Sequence, residues 1–311
     1  MIYVFEVLKN PLIYEAIRLA SPELVATTEK YWANPSSFSS KKKEALAFSL
    51  LKYYARMASR CTPFGLFAGC TVGDISAKTA IILEPSQRFK RHTQFDMQLW
   101  IALLQKLASQ NTVQQHLTYY PNTSIYPLGD FYRYVEYKYV KTKREHSITA
   151  LRKSEVLHKV FNATQKGKTI EEIVNLIAAD DSEIQEAKAF VEDLIRFQFL
   201  IPNLEGTVTG TNEWDRVMTI LDGIPTLKTE NKILKSIKKQ FAVLDSSLIP
   251  PEKCYTEIQR FIQNIGVDYD VKYLFQTDLS TATTVNTVSD TVSSRVLEAI
   301  RFLNGIQKQN E

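Results

Sequence analysis

The sequence is short of the residues that most often announce chemistry. Its 311 residues include three cysteines, Cys61, Cys70 and Cys254, and four histidines, His92, His116, His146 and His158. No Cys-x-x-Cys occurs, and the histidines fall at no metal-ligand spacing among themselves or with cysteine, so no metal is expected. Gly65, Gly69 and Gly73 lack a following Lys-Ser or Lys-Thr, which excludes a Walker-type phosphate loop. A Gly-x-Ser-x-Gly elbow is also absent, and no bound organic cofactor is expected. No apolar run approaches the length of a membrane span, and charge interrupts the apolar start at residues 1–8 too early for a secretory core. With an odd cysteine count, these absences predict reduced thiols, no disulfide and a cytoplasmic location. An excess of one charge is missing too. The 38 Lys and Arg against 34 Asp and Glu leave +4, compatible with a polyanionic partner without demanding one. What is present is 44% apolar and 23% charged residues, enough for a full core in two or three units.

The chain is organised around Ala58-Ser59-Arg60-Cys61-Thr62-Pro63-Phe64-Gly65-Leu66-Phe67-Ala68-Gly69. Before it, Ser40 is placed to cap a helix whose apolar positions are Leu46, Leu50, Tyr53, Tyr54 and Met57. Ser49, Lys52, Arg56 and Arg60 form a polar stripe, with the two arginines one turn apart at the end. Pro63 stops the helix, and Gly65 permits a bend into Leu66-Phe67-Ala68. Two guanidiniums and the Thr62 hydroxyl then meet at a corner suited to a carboxylate or phosphate. The same residues also serve helix-dipole compensation and packing.

Residues 1–8 read as a strand and 12–31 as helix. Leu66–Val72 and Thr79–Leu83 read as strands joined at Gly73-Asp74. Thr93-Gln94-Phe95-Asp96 opens a helix edged by Leu99, Leu103 and Leu107, with Asp96 in a variant capping box led by Thr93. Residues 131–140 are aromatic and β-prone, and a charged turn at Lys143-Arg144-Glu145 leads to a strand at Ser147–Leu151. Three helices follow, started by Ser154, by Thr169 with Glu172, and by Ser182 with Gln185. Strands, three short helices and a strand at Phe199–Pro202 suggest a winged helix-turn-helix. Against DNA, the third helix carries Glu183, Glu186, Glu192 and Asp193 beside Lys188 and Arg196. Beyond a polar linker at 207–211, Lys232, Lys235, Lys238 and Lys239 share a helix face, either solvated or a phosphate track, as is Lys41-Lys42-Lys43. A helix follows Pro250-Pro251, then a strand at 271–277 reaches Asp278, and a last helix runs from Val292 to Leu303. The expected fold is α+β, a mixed helix and antiparallel-sheet domain with an inserted winged helix-turn-helix unit.

The segment Leu51–Gly69, with Arg56, Arg60, Thr62, Pro63, Phe64, Gly65, Leu66, Phe67, Ala68 and Gly69, closely resembles the signature of LanB-type lantibiotic dehydratases, and Leu19–Leu24 is similar to the same family. The resemblance covers nearly the whole chain but about the N-terminal third of a full dehydratase. It implies residues 1–115 and 213–311 as parts of the glutamylation domain, and 120–205 as a PqqD-like precursor-peptide recognition element. It implies glutamylation of Ser or Thr hydroxyls in a ribosomally made precursor peptide, with glutamyl-tRNA as co-substrate, before glutamate elimination leaves a dehydroamino acid. Arg56, Arg60, Thr62, Asp96 and Asp278 are the catalytic candidates it carries over, the last through the pattern Gln276-Thr277-Asp278. By residue chemistry alone, Asp96 equally caps a helix, and Asp278 equally ends a strand in a turn. The recognition element implies a leader peptide added as an edge strand, with Phe131, Arg133, Val135, Tyr137, Val191 and Ile195 as its contacts. Expected partners are the leader peptide and glutamyl-tRNA, without DNA or a membrane span, and a homodimer is among the family's habits. The alternative is a non-catalytic leader-binding scaffold for separate enzymes.

Overall fold

A computed structural model describes residues 5–140, 143–207, 212–267, 270 and 273–307. The chain divides into two compact units, one made of Met1–Leu99 with Ser236–Glu311 and the other of Trp100–Lys235. In chain order the elements begin with α1 (Pro11–Ala20), α2 (Pro22–Ala33), α3 (Ser40–Ser59), β1 (Asp74–Ser76), β2 (Ala80–Leu83), β3 (Lys90–Phe95) and α4 (Met97–Ala108). Next come α5 (Asn111–Gln114), β4 (Tyr119–Pro121), β5 (Tyr126–Leu128), β6 (Phe131–Val140), β7 (Lys143–Arg152), α6 (Glu155–Ala163), α7 (Ile170–Ile177), α8 (Ile184–Arg196), β8 (Leu200–Pro202) and α9 (Glu213–Asp222). The chain continues with α10 (Lys228–Asp245), α11 (Glu252–Ile265), β9 (Phe275–Ser280), β10 (Thr283–Ser289) and α12 (Asp290–Gln307). The fold is α+β, helices mixed with small, mainly antiparallel sheets.

In the first unit, Ala16, Ile17, Val25, Leu46 and Leu50 of α1–α3 share one core with Leu66 and Phe67 of the motif. Each of these larger side chains contributes about 1.5–3 kcal/mol through burial. Pro22 divides the helix expected over 12–31: its ring cannot continue α1, but it suits the first turn of α2. Ser39, one residue earlier than expected, caps α3 by accepting the Lys42 N–H at 3.3 Å. The expected strand at 1–8 is helical at residues 5–9, and residues 1–4 lie outside the described ones. The hairpin expected over 66–83 does not form either. β1 and β2 lie on opposite sides of β10, parallel and antiparallel to it, so their pairing partner is some two hundred positions downstream. The final helix is longer than expected and runs through Gly305 to Gln307. Its apolar residues, among them Val296, Ile300, Phe302 and Leu303, are exposed.

In the second unit, β5, β6 and β7 make an antiparallel sheet in that order, and β4 pairs separately with β8. Lys143-Arg144-Glu145 belongs to β7 and pairs with Val140, Tyr139 and Lys138, so the expected charged turn is strand, and the tip at 141–142 lies outside the described residues. Tyr132 stacks on Phe161 at 5.2 Å, and Tyr132 and Tyr134 both meet Phe199 edge-on, which fixes one face of β6 against the helices. Ser154 caps α6, and Thr169 with Glu172 closes a capping box on α7. The third expected cap fails. Ser182 binds Asp180, and the Glu183 carboxylate reaches back to the Ala179 N–H at 2.8 Å.

Candidate active site and peptide-binding edge

The motif divides its labour by burial. Leu66 and Phe67 are buried at 3% and 8% exposure, whereas Phe64 is 41% exposed and lies beneath Arg56, whose guanidinium carbon is 4.1 Å from the ring centroid. Arg60 ends α3 by donating its N–H to Arg56 O at 3.1 Å, and Arg60 and Thr62 face solvent. The side chains of Arg56, Arg60 and Thr62 make no hydrogen bond or ion pair among the described residues, so their donors are available to a ligand. The loop closes tightly because Phe64 N–H donates to Ala68 O at 3.2 Å, with Gly65 at φ +53° where a side chain would be strained.

The next glycine seats the corner on β9. A Cβ at Gly69 would stand 2.7 Å from Leu279 O, so only glycine allows the approach. Cys70 N–H then donates to Leu279 O at 2.9 Å, and Thr281 N–H donates to Cys70 O at 3.0 Å. Through this seam the motif lies beside the strand that carries Gln276-Thr277-Asp278, although some two hundred residues separate them in sequence. Asp278 sits in mid-strand rather than at a strand-end turn. It pairs in register with His92 on the solvent face of the β3–β9 ribbon, and Gln276 Nε2 donates to its carboxylate at 3.4 Å.

Asp96 is half-buried and caps α4 by accepting the Gln98 N–H at 2.8 Å, while its own N–H donates to Leu274 O at 3.2 Å. Thr93 takes no part in this cap, because it lies inside β3 with its side chain buried. Asp96 stands opposite Leu274, four positions from Asp278, or roughly 13 Å along the strand. The structure therefore brings the arginine corner and Asp278 to one strand and sets Asp96 near that strand's start.

The opposite face of the ribbon holds a charged network that the sequence did not point to. Arg91, 4% exposed, donates to Glu15 Oε1 at 2.9 Å, Tyr255 Oη at 2.8 Å, Thr93 Oγ1 at 3.1 Å and Thr277 Oγ1 at 3.4 Å. Glu15, 1% exposed, also accepts from Tyr255 and takes both Nε and Nη2 of Arg18, at 3.1 and 2.7 Å. Asp245 accepts the Thr93 N–H at 3.0 Å. Burial, with Glu15 adding to it, pushes the Tyr255 hydroxyl far above its ordinary range. A buried pair of this kind is held by the completeness of its hydrogen bonds. The network joins α1, β3, β9 and α11 directly beneath the strand that presents Asp278. Strand alternation was the available signal: with Phe95 pointing inward, Thr93 and Arg91 must point inward too.

In the second unit the structure moves the open edge from β6 to β7. Val135 and Tyr137 N–H donate to Ser124 Oγ at 2.9 Å and Gln198 Oε1 at 3.0 Å, and their carbonyls accept from Asn122 Nδ2 at 3.0 Å and Gln198 Nε2 at 2.8 Å. Side chains thus occupy the edge of β6 where a peptide strand was expected. Phe131, Arg133 and Val135 alternate with Tyr132 and Tyr134 and are exposed on the other face of the sheet, whereas Tyr137 is half-buried, its hydroxyl accepting from Gln105 Nε2 of α4 and donating to Glu205 Oε1 at 2.6 Å. Val191 is fully buried and is core, while Ile195 is half-buried. Because Val135 and Tyr137 point their backbone groups away from β7, their partners Ile148 and His146 point theirs outward as well, toward an edge with no strand beside it among the described residues. Ile148 is 68% exposed there.

Of the basic helix face, Lys232, Lys235, Lys238 and Lys239 are exposed, and Lys235 is paired with Asp222. Cys61, Cys70 and Cys254 are free thiols. No group of metal-binding side chains occurs among the described residues, and no described helix is long and apolar enough to cross a membrane.

The chain is 27% identical over 219 residues to the epidermin biosynthesis protein EpiB of Staphylococcus epidermidis, covering 70% of this chain and 22% of that protein. It is 26% identical over 232 residues to the nisin biosynthesis protein NisB of Lactococcus lactis subsp. lactis, covering 74% and 23%. The chain therefore spans less than a quarter of the length of these relatives. Its fold is similar to that of the tRNA-dependent lantibiotic dehydratase MibB from Microbispora sp. 107891, with a TM-score of 0.75 at 18% identity over 96% of this chain and 29% of that one. It is also similar to the glutamylation domain TbtB from thiomuracin biosynthesis, with a TM-score of 0.61 at 16% identity over 96% and 36%. The family described as lantibiotic dehydratase, N terminus, matches residues 9–311, from the first helical turn through the arginine corner, β9 and α12. Matched over that span, the chain belongs to the lantibiotic dehydratase family, to its N-terminal part.

Proposed function

We propose that this chain forms part of a dehydratase that glutamylates Ser and Thr hydroxyls of a ribosomally made precursor peptide from glutamyl-tRNA, ahead of glutamate elimination to dehydroalanine or dehydrobutyrine. The observation that carries this reading is the seam at Cys70, which sets the Arg56–Thr62 corner against the strand of Asp278. The two unpaired guanidiniums and the Thr62 hydroxyl hold an anionic group of the aminoacyl-tRNA end or the glutamyl carboxylate. Asp278, on the same ribbon, and Asp96, at its start, orient the amine or the basic groups around it. In the full-length enzyme containing this region, replacing Arg56, Arg60 or Asp278 by Ala lowers transfer of labelled glutamate from glutamyl-tRNA to the precursor by about two to three orders of magnitude. Transfer within a few-fold of wild type in all three variants would remove the corner from the reaction.

The second unit, in this proposal, is a winged-helix peptide-recognition element that receives the leader along β7. Its support is the order of three strands before three helices, together with the outward backbone groups of His146 and Ile148. A fluorescent leader peptide from a precursor encoded beside this gene binds saturably, and Ile148→Pro abolishes binding while the far-ultraviolet spectrum is kept. Equal binding by both proteins would place the leader elsewhere.

A further inference from the structure

The buried network beneath β9 borders a cavity of 220 Å³ within the first unit, walled by α1, α2 and α11. Helical spacing builds its walls. Pro22, Val25, Ala26 and Glu29 share one face of α2 at intervals of three and four. Glu252, Tyr255, Thr256 and Gln259 do the same on α11. Val25 and Leu274 are buried apolar parts of the lining, and Phe275 meets the Tyr255 ring edge-on at 5.2 Å.

The charges around the cavity do not balance. Arg18 is the cation of the lining, and it already donates to Glu15 at 2.7 and 3.1 Å with its guanidinium carbon 4.3 Å from the Tyr255 ring centroid. Glu15 and Asp245 between them offset Arg18 and Arg91. Glu29 and Glu252 are left over: Glu29 accepts from the Tyr14 hydroxyl, and neither carboxylate forms an ion pair among the described residues. Their sequence neighbours Lys30 and Lys253 stand about 100° further round the helices and are not in the lining. Tyr14 registers the excess. Burial, then Glu29 and Glu252, push its hydroxyl to about 12 against the opposing pull of Arg18, so both carboxylates act on one point of the cavity.

The occupant follows from volume and charge. No group of three metal-binding side chains occurs among the described residues, so a bare divalent ion finds too few donors here. An apolar cavity of about 150 Å³ holds a benzene ring, and this one has room for such a ring with a short tail. A primary ammonium carries three donors and can serve two carboxylates at once. We propose that the cavity binds a small primary arylalkylamine, its ring against Val25, Leu274 and Phe275 and its ammonium held by Glu29 and Glu252. Phe275 and Asp278 point to opposite faces of β9, so this site is separate from the arginine corner. Arg18 and Tyr255 belong to the cavity and to the network at once, and an occupant therefore braces the support of that strand and stabilises the folded chain by linkage.

The test titrates the full chain with phenethylamine in a calorimeter, beside phenylpropanoate, which exchanges the ammonium for a carboxylate, and ethylamine, which lacks the ring. Phenethylamine binds at one site per chain, about tenfold more tightly than either other, and raises the melting temperature. Glu29→Gln and Glu252→Gln each weaken it about tenfold while keeping an acceptor in place. Ala26→Trp, at an exposed position of the wall, fills the space and removes binding. Melting of each variant without ligand, within a few degrees of wild type, shows that the loss is not unfolding. Equal binding of phenethylamine and phenylpropanoate, binding unchanged in both Gln variants or in Ala26→Trp, or no heat from any of the three probes overturns the proposal.

Discussion

Arg91 shows how much one buried side chain organises around itself. Its guanidinium reaches Glu15, Tyr255, Thr93 and Thr277, and its side chain has 0% exposure. Arg91→Met strands the Glu15 charge with Arg18 and Tyr255 alone and costs about 3–5 kcal/mol in urea unfolding. The triple variant Arg91→Met, Glu15→Gln, Arg18→Met is more stable than the single one, because no member of this charged trio is then left buried without its partner. A triple variant no better than Arg91→Met would mean that lost packing, rather than the stranded charge, sets the cost. Tyrosines give the pH response. The Tyr14 hydroxyl is pushed from 10.0 to about 12 by burial and by Glu29, and Tyr134 likewise by burial and by Glu136. In both, the folded value lies above the unfolded one, so their stabilisation is complete below pH 10 and is lost as the pH rises toward 12. Thermal melts then hold steady up to pH 10 and fall beyond it, and the fall is shallower in Tyr134→Phe. The arginine corner was legible at this scale because Pro63 and Gly65 dictate the turn locally. The network was not, since its members come from four elements and no local pattern pairs Glu15 with Arg91.

Helix starts were legible wherever the cap is a local exchange, as at Ser154 and at Thr169 with Glu172. Ser182 misled because Asp180 competes for its hydroxyl and backbone N–H. Strand partners were legible only between neighbours in sequence. β6 and β7 pair as a hairpin, whereas β1 and β2 wait for β10. The open edge was hidden for a different reason: Asn122, Ser124 and Gln198 seal β6 with side-chain groups that imitate a strand, and Gln198 does so from a left-handed backbone at φ 57°. Alternation in β7 makes a sharp prediction. Ile148 points its N–H outward, so Ile148→Pro removes no ladder bond and leaves the melting temperature within a few degrees. Thr149→Pro removes an N–H that bonds Tyr134 across the hairpin, and it costs about 3 kcal/mol or more. A lower melting temperature for Ile148→Pro than for Thr149→Pro would show that the edge assignment is inverted.

The two units interleave in sequence, with one made from both ends of the chain and the other from its middle. Composition alone indicated more than one unit. The boundaries, after Leu99 and after Lys235, fall inside α4 and α10, where an unbroken helical pattern gives no composition change to read. This placement assigns α9 and most of α4 to the middle unit, although residues 1–115 and 213–311 had been expected to form the flanking one. The seam at Cys70 has a consequence for the order of events during folding. Cys70 and Thr281 are 211 positions apart, so closing their contact orders a long loop, and its entropic cost is met late. The β6–β7 hairpin closes across a few residues and forms early. In pulse-labelled hydrogen exchange during refolding, amides of β6 and β7 gain protection first, and those of Cys70 and Thr281 gain it in the last phase. The corner that would meet the aminoacyl-tRNA thus comes into being only when the chain is nearly finished folding, and an incompletely folded protein is blind to that ligand.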